Sequence, residues 1–97
     1  MTIYAAQSGS VSAANSFIPS VSAPYAAQNY CIRVQGTFVG TISIQTKYVD
    51  ESAWFTEYTS QSPFSQIIEV PPNMQVQVGF ETGNYTSGTA EIDIAAL

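Results

Sequence analysis

Tyr30-Cys31-Ile32-Arg33-Val34-Gln35-Gly36-Thr37-Phe38-Val39-Gly40-Thr41-Ile42-Ser43-Ile44-Gln45-Thr46-Lys47 alternates between apolar and polar side chains along most of its length. Tyr30, Ile32, Val34, Phe38, Ile42 and Ile44 share one phase. Arg33, Gln35, Thr37, Thr41, Ser43, Gln45 and Lys47 fill the other. A period of two places these sets on opposite faces of an extended chain, one buried and one wet. Gly36 and Gly40 punctuate the run. They predict two strands, about 29–35 and 38–48, joined at Gly36-Thr37, with a single bent strand carrying a glycine bulge as the alternative.

The same alternation continues downstream. Asp50-Glu51-Ser52 reads as a polar turn, and Ala53 to Tyr58 as a strand with Trp54 and Phe55 on opposite faces. A Ser/Pro loop spans Thr59 to Ser65, and a short strand, Gln66 to Val70, stops at Pro71-Pro72-Asn73. Met74, Val76, Val78 and Phe80 form one further alternating set, and Ala90, Ile92, Ile94 and Ala96 another. Thr82-Gly83-Asn84 opens a turn between them that closes at Ser87-Gly88. About seven strands separated by Gly, Pro and Asn turns predict an all-β fold, an antiparallel β-sandwich of the Ig-like or jelly-roll-like kind. Trp54 and Phe80 are expected to plug its core.

Residues 1–28 differ. They are rich in Ala and Ser and carry no charged side chain. They read as a first strand with a long loop, or as an extended arm lying on a neighbouring subunit, with the sandwich domain at 29–97. An uncharged arm containing Phe17-Ile18 needs cover from its own domain or from a partner. Tyr4, Phe17, Ile18 and Tyr25 in this segment, and Tyr85 in the expected turn, are the candidate partner-binding residues.

Ninety-seven residues make one domain, small enough that burial alone stabilises it only marginally. With one cysteine and no histidine, neither an intrachain disulfide nor the usual zinc site can reinforce it. Self-association into a homo-oligomer is the device left. Only 9% of residues are charged, the net charge is −5, and Arg33 and Lys47 are the only basic residues. That leaves no basic footprint for nucleic acid or for an anionic membrane surface. After Met1 no basic stretch precedes an apolar run, so synthesis in the cytoplasm without export by the general route is expected.

Lack of histidine also removes Ser–His–Asp and Cys–His catalysis, and neither a Walker loop nor G-x-G-x-x-G occurs. Glu91 and Asp93 are two apart on one strand face, which predicts a solvated pair rather than two carboxylates across a cleft. Asp50-Glu51 lacks the surrounding ligands of a calcium loop. Cys31, in phase with Arg33, reads as a small half-buried residue. The expectation is a non-enzyme without cofactor or metal.

Gln35-Gly36-Thr37-Phe38-Val39-Gly40-Thr41-Ile42-Ser43-Ile44-Gln45 resembles the GTF-x-GT-x-x-x-Q opening of small β-sandwich structural proteins of tailed bacteriophages. In those proteins a turn and a Trp follow, as Asp50 and Trp54 do here. Glu69-Val70-Pro71 is similar to their acidic-proline step, and Tyr85-Thr86-Ser87-Gly88-Thr89-Ala90 to their closing hairpin. The resemblance covers about residues 30–96. It departs at Asp50-Glu51-Ser52-Ala53, where glycines are usual, and at Gln75 and Gln77, where an Arg is often found. It implies a virion structural protein, bound to a major capsid or tail protein. Capsid decoration (cement) is the first role expected, and a tail, neck or fibre-attachment component the second. A carbohydrate-binding host-attachment domain, stacking sugars on Trp54 or Tyr85, is a further alternative.

Overall fold

The computed structural model describes residues 6–18 and 28–96. Tyr4 and Tyr25 lie outside them. The described residues contain six strands: β1 (Ala6–Val11), β2 (Ser16–Ile18), β3 (Gln28–Tyr48), β4 (Phe55–Ser60), β5 (Phe64–Val70) and β6 (Met74–Ala96). All pairings are antiparallel and belong to one open sheet. The all-β antiparallel expectation therefore holds.

The organising element is the β3–β6 ribbon. β6 pairs along nearly all of β3, from Tyr30 opposite Ala96 to Tyr48 opposite Met74. Each outer edge of this ribbon carries two short strands end to end. β1 and β2 line β6, pairing with 90–95 and 78–80 respectively. β5 and β4 line β3, pairing with 28–34 and 42–46. One half of the sheet thus runs β1-β6-β3-β5 and the other β2-β6-β3-β4.

The ribbon doubles back. Twenty-one strand residues would extend about 70 Å, yet the longest dimension of the molecule is 38 Å. Val70 pairs with Gln28 at one end of β3, and Met74 pairs with Tyr48 at the other. The four residues from Val70 to Met74 can span at most about 14 Å, so the two ends of β3 lie far closer together than a straight strand would set them. Val49 N–H donates to the Asn73 carbonyl at 3.0 Å, continuing the β3–β6 pairing one step past Tyr48 and Met74. The inner faces of both halves close on one core: Val11, Tyr30, Ile32, Val34, Ala90, Ile92 and Ile94 from the first, Ile18, Ile42, Ile44, Val76, Val78 and Phe80 from the second, with Val70.

The bend lies at Gly40. Pairing jumps there from Gly40–Tyr85 to Ile42–Phe80, so Glu81 to Asn84 stand against Thr41 alone. Gly40 has φ +149°, and a Cβ on it would come within 2.4 Å of the Asn84 carbonyl oxygen and 3.1 Å of the Phe80 ring. Phe80 fills the inside of the bend. Its ring meets Phe38 edge-on at 5.7 Å and Tyr85 edge-on at 4.9 Å, and the Tyr85 hydroxyl donates to the Gly88 carbonyl at 2.9 Å.

Two expectations are corrected. The residues from Thr82 to Gly88 do not turn the chain into a hairpin; β6 runs through them. Their glycines, with φ +88° at both Gly83 and Gly88, serve an excursion inside a strand instead of a reversal between two. Correspondingly β3 is the single bent strand, and the described strands number six. Trp54 is not a core plug, whereas Phe80 is fully buried. Trp54 is half-buried in the β3–β4 turn, with the Lys47 ammonium 5.3 Å from its ring centroid. That turn is clamped by Glu51, whose carboxylate accepts from Tyr48 N–H at 2.7 Å and whose carbonyl accepts from Lys47 Nζ at 3.0 Å.

Replacing Gly40 by Ala should destabilise the fold by about 3 kcal/mol, combining backbone strain with overpacking against Asn84 and Phe80. Gly83→Ala, also at positive φ but with nothing within 4 Å of the added carbon, should lose only about 1 kcal/mol. Urea unfolding of the two variants checks the ranking, and equal losses would contradict a packed bend.

Candidate interaction surface

Among the described residues, β4 is hydrogen-bonded on one side only, to β3. Its register sets Phe55 opposite Thr46 and Tyr58 opposite Ile44, with a bulge at Glu57 between them. Residues directly opposite share a face, so both rings follow the inner face of the sheet. At this outer edge the core does not cover them: Phe55 is 66% exposed and Tyr58 36%. Tyr48, two residues beyond Thr46 on the same face, and the adjoining Val49 are exposed as well. Tyr58 is tilted against Phe64 at 5.1 Å, and Phe64 in turn packs on the core. An apolar strip thus runs from the β3–β4 turn along β4 to the start of β5.

Exposed edge strands are commonly blunted by lysine, proline or an inward-pointing charge. β4, Phe-Thr-Glu-Tyr-Thr-Ser, contains neither Lys nor Pro. Its one acid, Glu57, accepts from Thr46 Oγ1 at 3.0 Å and is thereby tied back to β3. Ile67 on β5 is a further exposed apolar side chain, on the opposite face and in register with Cys31 and Ala95.

Behind the strip, a polar ladder fixes β4 to the ribbon. Gln77 Nε2 donates to Gln45 Oε1 at 2.7 Å. Gln45 Nε2 donates to Glu81 Oε1 and, at 3.4 Å, to Thr56 Oγ1. Thr56 Oγ1 donates to the same Glu81 oxygen at 3.0 Å. Glu81 opens the excursion of β6, so the ladder joins β4, β3 and the bend. Next to it, Ser43 is fully buried between Thr59 and Gly79, and its hydroxyl has no hydrogen-bond partner among the described residues.

The residues singled out in the sequence are dispersed. Phe17 is half-buried on β2 opposite Gly79, and Ile18 is buried in the core, so this part of the N-terminal segment is covered by its own sheet. Tyr85 is half-buried against Phe80 at the bend. Glu91 and Asp93 share an exposed face beside Ser8 and Ser10, around a shallow cleft of about 350 Å³. Cys31 is half-buried, its sulfur 3.9 Å from Ser65 Oγ. Among the described residues no three Cys, Asp or Glu side chains converge on a point where a metal would sit. Phe55 was legible only as a strand residue opposite in phase to Trp54. Its exposure follows from β4 being an edge, which pairing decides.

A scan against protein-family models gives no match, and neither does a search of curated proteins or of solved structures.

Ser43→Ala removes a desolvated hydroxyl without opening a large void. It should raise stability by about 1 kcal/mol. A thermal or urea melt checks this, and a loss of stability would mean that Ser43 is bonded in solution.

Proposed function

We propose that this chain is a non-catalytic binding domain that assembles through edge strand β4, and that it serves as a structural protein of a tailed-phage particle, first of all in capsid decoration. One observation carries the assembly part: the exposed rings of Phe55 and Tyr58, the latter against Phe64 of β5, on an edge strand that lacks the usual protecting residues. Apolar side chains and unpaired backbone groups together are what strand addition uses for affinity and side-chain selection. The scarcity of charge supports the same reading, since a surface of Ser, Thr, Gln and Asn suits close packing against neighbours in a shell or tube.

The virion part rests on the GTF-x-GT-x-x-x-Q and Y-T-S-G-T-A segments. In this reading the two halves of the folded sheet act as the two layers of a small sandwich. The partners are a major capsid or tail protein and further copies of this chain. A tail or neck position is the second reading. Neither needs histidine, a metal or a cofactor.

Phe55→Asp should lower association at least tenfold in sedimentation equilibrium, while changing unfolding stability by less than about 0.5 kcal/mol, because Phe55 is largely exposed. Unchanged association would remove β4 as the interface. Quantitative mass spectrometry of purified particles separates the locations: hundreds of copies mean the capsid surface, a dozen or fewer the tail or neck. Absence from particles would overturn the virion proposal.

A further inference from the structure

The bend that folds the ribbon also leaves an open cleft. It has a volume of about 490 Å³ and is lined by Phe38, Val39, Gly40, Thr41, Gln61, Gly83, Asn84 and Thr86. That volume lies within the range of small-ligand sites. Three observations define what it can hold. No lining side chain ionises at any ordinary pH, so a charged ligand would find no counter-charge. Gln61 and Asn84 each present an amide, and Thr41 and Thr86 each a hydroxyl, groups that both donate and accept hydrogen bonds. Phe38 and Val39 add apolar surface, and Val39 is 57% exposed.

Backbone geometry adds to this. Thr41 has no register partner on β6, and Glu81 to Asn84 have no register partner on β3, because the strand pairing skips them. A Cβ on Gly83 would meet nothing within 4 Å, so this side of the excursion faces open space. A neutral, bifunctional set of polar groups beside an apolar wall matches a ligand with many hydroxyls and no charge. An apolar ligand would leave the amides and hydroxyls unpaired, which is unfavourable. The cleft beside Ser8 and Ser10, by contrast, is bordered by Glu91 and Asp93.

We infer that the cleft at the Gly40 bend is a binding site for an uncharged oligosaccharide. It uses Gln61, Asn84, Thr41 and Thr86 for the hydroxyls and Phe38 and Val39 for an apolar sugar face. The site goes beyond assembly through β4 and does not depend on it. It also differs from the stacking platforms at Trp54 and Tyr85: Lys47 lies over the Trp54 ring, and Tyr85 packs on Phe80.

The test is an array of uncharged and acidic glycans probed with the full chain, followed by NMR titration of the nitrogen-15-labelled protein with the strongest uncharged hit. Expected are shifts centred on Val39, Thr41, Gln61, Gly83, Asn84 and Thr86, with the same affinity from pH 5 to 8 and in low or high salt. Gln61→Ala and Thr86→Val, both at exposed positions, should each weaken binding about five-fold without moving the melting temperature, and Phe55→Asp should leave it unchanged. An array without uncharged hits, a preference for acidic glycans, or shifts centred on Trp54 would overturn the inference. Association through β4 would remain untouched by that failure.

Discussion

The place where a side chain at Gly40 would stand is taken by the Asn84 carbonyl and the edge of the Phe80 ring. Everything else in the molecule follows from that close approach. A long two-stranded ribbon left straight would expose one apolar face along its whole length. Folding it at Gly40 lets the Tyr30–Ile32–Val34 side of the ribbon and the Ile42–Ile44 side share one core. Phe80, held between Phe38 and Tyr85, fills the inside of the fold and so couples the backbone excursion at 81–84 to burial. A chain of this size has little apolar area to spare, and a bend that buries the same face from both halves uses it fully.

The bend also explains the broken edges. The outer strands of a sharply folded ribbon would have to follow its curvature, and both are interrupted where it occurs. β1 and β2 are separated by residues 12–15, with Asn15 at φ 53°, and β4 and β5 by residues 61–63. The surfaces of interest are by-products of this arrangement. β4 is stranded at the margin with Phe55 and Tyr58 beyond the reach of the core. The cleft opens where β3 and β6 lose register and Gln61 leaves the edge.

Much of the interior was legible in the sequence, because period-two alternation is a direct consequence of how a strand presents its side chains. Tyr30, Ile32, Val34, Ile42, Ile44, Val76, Val78, Phe80, Ile92 and Ile94 all lie where that pattern places them. What alternation cannot encode is which strand neighbours which. Thr82-Gly83-Asn84 and Ser87-Gly88 have the composition of a hairpin turn, and a glycine at positive φ serves a turn and a strand excursion equally well. Only the pairing of both halves of β6 with β3 distinguishes the two. The same gap hid the candidate surface. Trp54 and Phe55 look alike as large aromatic residues, and their environments are set by the turn that holds Lys47 over one and by the place of the other on a strand with no second neighbour among the described residues. Ile18 reads as a sticky element of an arm until β6 is seen to cover it.

The folded ribbon is tested most directly by cross-strand nuclear Overhauser contacts along β6. Both ends of β6 should contact β3, with Ile94 near Ile32 and Val78 near Ile44, and Gly40 should lie against Tyr85. Contacts joining the 74–80 and 90–96 segments as neighbouring strands of a hairpin, with none from one of them to β3, would contradict it.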